Sequence, residues 1–350
     1  MDDTVSSLYG ETNLKIKTSS VTIAHTVPVA GEQRYDNLQW FGKVFDRLKA
    51  QGLGATIVTS HNLDSATGHS FTHHTKEQIQ AILNIAKSKG VPLQMIKPHI
   101  MLEWGDGFNR ATYQPANPST FFSKWKEELL FIADIAVSNK IEWLCISCEQ
   151  YQLTTVEPYY QEWADIVNTL KLRYPNLKLT IACTGQEMRE SMTKKRNDVR
   201  NYFSVFDLVD AIGANIYGSY TWETCENVGE SVNIPVEDIE KALYRDSQGY
   251  NYVRMLSDTF QVWKKPVIIT EFGCMSKKDG LIRLHATGPT NYDVHALLFQ
   301  AFFDTIMPIH FVQGFAIWHV YAPFQYFDYE GETVYPGEAV IIEYTQRGLI

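Results

Sequence analysis

Apolar residues recur along the chain at two different spacings, and the two spacings alternate. Short runs rich in Val and Ile, bounded by Gly, Pro or polar residues, are typical of strands buried in a parallel sheet. Eight segments have this character, at 21–29, 55–59, 93–100, 143–147, 177–183, 211–216, 266–273 and 314–318. Apolar residues spaced every three or four positions predict amphipathic helices at 35–51, 75–90, 121–139, 159–174, parts of 238–263, and 290–309.

This alternation of strands and helices favours parallel β/α units. Eight such units, joined by right-handed crossovers, predict an α/β fold of the (β/α)8 TIM-barrel type in a single domain. An open doubly wound sheet would need a glycine-rich phosphate turn after an early strand. Gly52 and Gly54 come before the second predicted strand instead. We therefore predict a polar N-terminal arm over residues 1–20 and a barrel over 21–350, including a C-terminal extension. The tail over 321–350 is expected to end either in a last helix or in an extended segment.

The composition indicates a folded protein and disfavours nucleic acids and membranes as its binding partners. A hydrophobic share of 45% among 350 residues can fill a core, which excludes global disorder. The net charge of −9 disfavours nucleic acid as a partner, because nucleic-acid binding needs a basic surface. No run approaches 18 apolar residues, so we expect no membrane partner.

The start of the sequence and the cysteines bear on localisation. Met1 is followed by Asp2 and Asp3, and not by the basic and apolar segments of a signal peptide. Five cysteines without regular spacing do not resemble a disulfide framework, which favours a reducing compartment. We expect a cytoplasmic protein, or one that is released by lysis or carried on a virion.

Two carboxylates stand at the ends of predicted strands. Glu149 follows the fourth strand and Glu271 ends the seventh. The carboxyl ends of all barrel strands meet at one rim, where TIM barrels carry their active sites, so both carboxylates should face one cleft. Two such groups can divide the work of glycoside cleavage, one protonating the leaving oxygen and the other attacking the sugar or activating water. Each Glu taken alone could also be a salt-bridge partner, but the occurrence of both at these two strand ends favours the catalytic interpretation.

The segments around these carboxylates resemble a known clan. Leu144–Glu149 and Pro266–Gly273 are similar to the acid/base and nucleophile strands of clan A glycoside hydrolases, and Leu93–His99 resembles the third-strand motif of family 113, known for β-mannanase activity. The resemblance implies a retaining (β/α)8 hydrolase with Glu149 as general acid/base and Glu271 as nucleophile. No motif of the sequence requires a cofactor or a metal ion.

Further polar and aromatic residues at the same predicted rim could bind a sugar. Tyr217 resembles the clan tyrosine that hydrogen-bonds the nucleophile, and Trp318 resembles the tryptophan beneath the cleaved sugar. Either could instead be an ordinary rim or core aromatic. The remaining substrate-binding candidates lie at strand ends or on rim loops and are His99, Lys97, Asn62, Trp104 and Trp222.

Cys148 departs from the clan pattern. Most of the clan carries an asparagine directly before the acid/base glutamate, where it contacts the sugar 2-hydroxyl, and family 113 typically carries threonine. A thiol is a weak hydrogen-bonding group, so the identity of the sugar stays open. Cys145 and Cys148 also form a C-x-x-C pair, but on a regular strand these positions point to opposite faces, which disfavours a shared metal ion.

The prediction is therefore a retaining, endo-acting glycoside hydrolase that cleaves β-linked polysaccharide or oligosaccharide, either β-mannan-like or a cell-wall glycan, by double displacement. The alternative is a non-catalytic glycan-binding or virion structural module on a barrel scaffold. Such a module would be expected to have lost one carboxylate. An aldolase-type barrel would need a Schiff-base lysine, and Lys97 has no supporting partner set in the sequence.

Overall fold

The computed structural model describes residues 18–24 (backbone only), 38–105, 107–221, 234–246, 249–328 and 331–350. Within these residues eight parallel strands close into a ring, which confirms the predicted (β/α)8 barrel. A short antiparallel strand, β3, lies beside β2. The strands are β1 Thr18–Ala24, β2 Gly54–Leu63, β3 Phe71–His73, β4 Leu93–Leu102, β5 Trp143–Cys148, β6 Lys178–Cys183, β7 Ala211–Ile216, β8 Val267–Phe272 and β9 Val312–Ile317.

Helices connect most of the strands. They are α1 Leu38–Gln51, α2 Lys76–Lys89, α3 Pro118–Ser138, α4 Tyr160–Arg173, α5 Gly185–Asn197, α6 Val205–Leu208, α7 Val236–Tyr244, α8 Tyr252–Trp263, α9 Asp293–Thr305 and α10 Pro336–Gln346. No helix in the described part of the chain combines the length and the apolar character that crossing a membrane requires.

The start of α2 shows how the sequence sets an element boundary. The Thr75 hydroxyl accepts a hydrogen bond from the Gln78 N–H (3.3 Å), and the Gln78 side chain accepts one from the Thr75 N–H (2.9 Å). This capping box satisfies two N–H groups that a helix start otherwise leaves unpaired. At the other end Gly90 has a φ of 74°, a left-handed conformation that favours glycine.

The first strand closes the ring. β1 pairs in parallel with β2 through Ser20–Ala24 and with β9 through Thr18–Val21. It begins at Thr18, so it overlaps the last residues of the arm that the sequence predicted over 1–20. Polar side chains do not prevent this pairing, because the ladder is made by backbone groups.

The strand that precedes Glu149 is irregular. Cys145 pairs with Thr180 and Cys148 with Ala182, so three steps along β5 match two steps along β6. Both cysteines pack in the same buried cluster inside the barrel. The expectation that they point to opposite faces was therefore wrong, because the bulge breaks the two-residue alternation of a regular strand.

The C-terminal segment ends in a helix, α10, which is attached to α1. The buried carboxylate of Glu338 pairs with the Arg47 guanidinium and accepts a hydrogen bond from Gln51 Nε2 (3.0 Å). Tyr326 Oη donates to Gln51 Oε1 (2.7 Å). These contacts join the end of the described chain to its first helix.

Candidate active site

Glu149 and Glu271 lie at the carboxyl-terminal rim of the barrel. Glu149 directly follows β5, where a left-handed φ of 55° ends the strand and its N–H donates to the Ala182 carbonyl oxygen (2.8 Å). Glu271 is the penultimate residue of β8. The Glu149 side chain is 22% exposed and that of Glu271 is 4% exposed. One carboxylate therefore faces the solvent side of the rim, while the other is buried and needs partners.

Lys97 and Tyr217 provide those partners for Glu271. The Lys97 ammonium pairs with Oε1, and Tyr217 Oη donates to Oε2 at 2.8 Å. Burial raises the pKa of Glu271, Lys97 opposes that rise, and Glu149 adds to it. Burial has the largest single effect on the pKa of Lys97 and lowers it, but the Glu271 carboxylate, with smaller contributions from Cys148 and Cys145, raises the pKa above its usual value, so the lysine stays charged at neutral pH.

The ion pair of Lys97 and Glu271 crosses the barrel interior. β4, which carries Lys97, and β8, which carries Glu271, are four places apart in the ring of eight strands. Lys97 was predicted as a sugar ligand, and the structure gives its fully buried ammonium a carboxylate partner. Burial, with the nearby Glu271 carboxylate, raises the pKa of Tyr217 well above its usual value, so its hydroxyl remains a donor.

Glu149 also has two partners that were not predicted from the sequence. Asn215 Nδ2 donates to Oε1 (3.0 Å), and Arg110 Nη2 lies 3.4 Å from Oε2. Thr270 Oγ1 donates to Asn215 Oδ1 (2.8 Å), which fixes the amide so that its NH2 group faces Glu149. Thr270 precedes Glu271, so this chain of hydrogen bonds links the strand of one carboxylate to the other carboxylate.

Trp318 and His99 complete one wall of the site. Trp318 follows β9, and its ring lies parallel to that of His99, with centroids 5.7 Å apart and an interplanar angle of 11°. Lys97 Nζ lies 5.3 Å from the centroid of Trp318. A Cβ atom at Gly273 would come within 2.1 Å of the Trp318 carbonyl oxygen. The glycine that ends the β8 motif thus permits the close approach of the two strand ends.

The weaker candidates form a separate contact on the rim. Asn62 Oδ1 accepts a hydrogen bond from the Trp104 N–H (2.6 Å), and the Trp104 ring meets His74 edge-on at 5.0 Å. In the described residues neither Asn62 nor Trp104 hydrogen-bonds Glu149 or Glu271. Asn62 orders the Trp104 loop, and a direct contact of either residue with a sugar stays a prediction. Trp222 lies outside the described residues.

A third carboxyl group, that of Glu187, is buried near Glu149. It accepts hydrogen bonds from Thr154 Oγ1 (2.7 Å) and from the Thr184 N–H (2.8 Å). Burial raises its pKa to about 7, with a smaller contribution from Glu149. Thr184 and Glu187 form the capping box of α5. The Glu187 carboxyl group therefore stabilises the start of that helix.

A closed parallel barrel with two carboxylates at the carboxyl ends of its fourth and seventh strands is the arrangement of clan A glycoside hydrolases. The sequence model of Glycoside Hydrolase Family 113 matches residues 55–333, and the chain belongs to this family. The protein is therefore a glycoside hydrolase, and its substrate is a carbohydrate. No curated protein sequence matches the chain.

Solved structures agree on the fold. The GH113 β-mannanase AaManA from Alicyclobacillus acidocaldarius, in complex with ManMIm, is 15% identical, with a TM-score of 0.66 over 97% of this chain and 100% of that one. A GH113 β-1,4-mannanase is 18% identical, with a TM-score of 0.64 over 95% and 98%. A β-mannanase from Thermomonospora fusca is 12% identical, with a TM-score of 0.54 over 93% and 88%.

Proposed function

We propose that the protein is a retaining β-mannanase that cleaves β-linked glycan chains internally by double displacement. The observation that carries this proposal is the environment of Glu271. Its two oxygens are held by the Lys97 ammonium and the Tyr217 hydroxyl, which fix its orientation and favour its charged form. A carboxylate that is fixed, shielded from water and paired with an ammonium group is suited to act as a nucleophile.

In the first step Glu271 attacks the anomeric carbon while Glu149 donates its proton to the glycosidic oxygen. The C–O bond to the leaving sugar breaks, and a covalent glycosyl ester forms on Glu271. In the second step Glu149 takes a proton from water, the water oxygen attacks the anomeric carbon, and the Glu271 carboxylate leaves. Two inversions give net retention of the anomeric configuration.

The contacts of Glu149 suit a group that alternates between two protonation states. Asn215 holds Oε1, so the carboxyl group keeps its place whether or not it carries a proton. Arg110 lies beside Oε2 and balances the charge of the carboxylate form. The mannan specificity is supported by the family and by the mannanase names of the similar structures, while Cys148 stands where the clan commonly contacts the 2-hydroxyl.

The experiment that tests the chemistry combines a polysaccharide panel with product analysis by NMR. We expect release of reducing ends from β-mannan, with the first product in the β configuration. Glu271→Ala should stop the reaction, and Glu149→Ala should lose about 10²- to 10⁴-fold in kcat with a poor leaving group. The matched control is Glu142→Ala, which removes a surface partner of Lys178 and should leave activity unchanged.

Azide separates the two roles. With an activated glycoside, azide should rescue Glu149→Ala and give the β-glycosyl azide, because azide attacks the covalent intermediate. It should rescue Glu271→Ala with the α-glycosyl azide, because azide then replaces the nucleophile. A first product in the α configuration from the wild type would show inversion and contradict the proposal. Binding of glycans without cleavage of any of them would favour the glycan-binding module.

A further inference from the structure

Three donor atoms of different chemical type meet inside the barrel mouth. His99 Nε2, Cys148 Sγ and a Glu271 carboxylate oxygen all lie within 4.8 Å of one another, and all three residues are buried. Both the imidazole nitrogen and the sulfur are 3.8 Å from the same atom, Glu271 Oε1. The three side chains come from three different strands or strand ends, β4, β5 and β8.

The spacing of these atoms is close to that of a metal-ligand set. With zinc bonds of about 2.1 Å to nitrogen and oxygen and about 2.3 Å to sulfur, tetrahedral angles place N and O about 3.4 Å apart and S and O about 3.6 Å apart. The observed separations of 3.8 Å exceed these by a few tenths of an ångström. The imidazole nitrogen and the sulfur lie within 4.8 Å of each other, so rotations of the His99 and Cys148 side chains must draw the three donors together, and a larger soft ion such as Cd²⁺ needs less movement.

We propose that His99, Cys148 and Glu271 form an inhibitory site for a thiophilic divalent cation, Zn²⁺ or Cd²⁺. Imidazole, thiolate and carboxylate are the donors that such ions take, with a solvent molecule as the fourth ligand. On binding, the Cys148 thiol loses its proton to solvent and a metal–sulfur bond forms. The inhibition rests on the proposed function, because a metal bond to Oε1 withdraws Glu271 from attack on the sugar.

Lys97 opposes this site. Its ammonium pairs with the same Oε1 atom that the cation would bind, so the cation meets both charge repulsion and an occupied carboxylate. Its replacement by a neutral side chain of similar length should therefore strengthen binding. Loss of Cys148 should weaken binding, because the sulfur is the donor that selects a soft ion. The two substitutions are expected to act in opposite directions, which a general toxic effect of the metal would not reproduce.

The other cysteines supply the controls. Cys145, Cys183 and Cys274 are buried free thiols, and Cys145 Sγ already donates to the Ser147 carbonyl oxygen (3.2 Å). Cys225 lies outside the described residues, so every variant is made in a Cys225→Ala background to remove its thiol. Within that background Cys274→Ala is the matched control for Cys148→Ala, since both remove one buried thiol near the end of a barrel strand.

The test titrates the full-length protein with CdCl2 and ZnCl2, and with MgCl2 as a hard-ion control. Binding is measured by calorimetry and by the ultraviolet thiolate-to-cadmium charge-transfer band, independently of any substrate. We expect one Cd²⁺ per chain with a thiolate band, loss of hydrolysis in step with binding, and recovery with a chelator. Cys274→Ala should behave like the background protein, and circular dichroism with thermal unfolding checks that each variant is folded.

Cys148→Ala should lose the band and bind at least about 10- to 100-fold more weakly, and Lys97→Met should bind at least about 10-fold more tightly. A thiolate band that survives in folded Cys148→Ala, or the absence of cadmium binding to the background protein, would overturn the site. Binding with a full thiolate band but undiminished hydrolysis would keep the metal site and overturn the role of Glu271 as nucleophile. The two failures are thus distinguishable.

Discussion

Glu271 is held by two residues that reach it from different strands. Lys97 lies on β4 and Tyr217 directly follows β7, and each contacts a different oxygen of the carboxylate. Because the carboxylate is buried, water cannot fully replace a hydrogen bond that a substitution removes. Loss of either contact should therefore lower the rate of hydrolysis measurably. Tyr217 could be predicted from the sequence because it follows a recognisable strand.

Replacing Tyr217 by Phe should lower kcat/KM by about 10- to 150-fold, since a hydrogen bond to a charged group contributes about 1.5–3 kcal/mol. Steady-state kinetics on a soluble mannan measures this effect. The matched control is Tyr220→Phe, whose hydroxyl donates to the Ile216 carbonyl oxygen (2.7 Å) and does not touch either carboxylate. Equal activity of the Tyr217→Phe variant and the wild type would show that the hydroxyl does not stabilise the nucleophile.

At the scale of elements, the strands could be predicted and several local features could not. The barrel strands are short apolar runs with clear breakers. Asn215 could have been found from its place near the end of β7, two residues before Tyr217 and therefore on the same side of the chain. Helix α5 carries few apolar residues, so its periodicity is weak, and its signal is the capping box of Thr184 and Glu187. Arg110 begins a single 3-10 turn, Arg110–Thr112, in a connection whose course depends on tertiary contacts.

The hydrogen-bond chain from β8 through β7 to Glu149 predicts a role for Thr270. Thr270→Val keeps the shape of the side chain but leaves Asn215 Oδ1 without its donor, so the amide that holds Glu149 can turn. We expect a loss of about 0.5–1.5 kcal/mol, or about 2- to 12-fold in kcat/KM, with kcat carrying most of it. Thr259→Val is the control, because the buried Thr259 hydroxyl donates to the Met255 carbonyl oxygen within α8 (2.8 Å). An unchanged kcat would contradict the positioning role.

Helix α9 carries a buried histidine that should limit stability in acid. Burial lowers the pKa of His295 to about 4, although a hydrogen bond to the Cys274 carbonyl oxygen raises it slightly. Between pH 6.5 and 4 the unfolded chain takes up a proton that the folded chain excludes, so the free energy of unfolding falls as pH falls. The pKa difference corresponds to about 2–3 kcal/mol lost between pH 7 and pH 4.5.

Urea unfolding at both pH values measures this loss. His295→Phe should be less stable at pH 7, since it lacks the bond to Cys274, but should lose about 2–3 kcal/mol less than the wild type on acidification. His285→Gln, at an exposed position, should follow the wild type. The same acid loss in His295→Phe and in the wild type would assign the sensitivity to other groups.

At the scale of the whole molecule, the C-terminal segment belongs to the barrel. Helix α10 packs on α9 and α1, and the buried Glu338 carboxylate is the centre of its polar contacts with α1. The sequence left this tail open between a helix and an extension. It could not decide, because the partner of Glu338 is Arg47, almost the whole chain away, and a single sequence does not show such pairings.

Glu338→Ala should lower the free energy of unfolding by about 3 kcal/mol, because it leaves Arg47 and Gln51 without their shared acceptor in a largely buried place. Glu343→Ala on the same helix removes an exposed partner of Arg347 and should cost less than about 0.5 kcal/mol. Chemical unfolding of both variants measures the difference. Equal stability of the Glu338→Ala and Glu343→Ala variants would show that the pair of Glu338 and Arg47 does not stabilise the packing of α10 on the barrel.

The double pairing of β1 has a consequence for the order of folding. The contact of Thr18 with Gly314 closes a loop of nearly the whole chain, which costs about 5 kcal/mol of chain entropy if it forms first. Once β2 to β9 have assembled, the two edges that receive β1 are already close together, and the same contact closes a short gap. Pulse-labelled hydrogen exchange should therefore find the amides of β1 protected last, and early protection there would contradict this order. The strand that comes first in the sequence is then the last one to pair when the barrel folds.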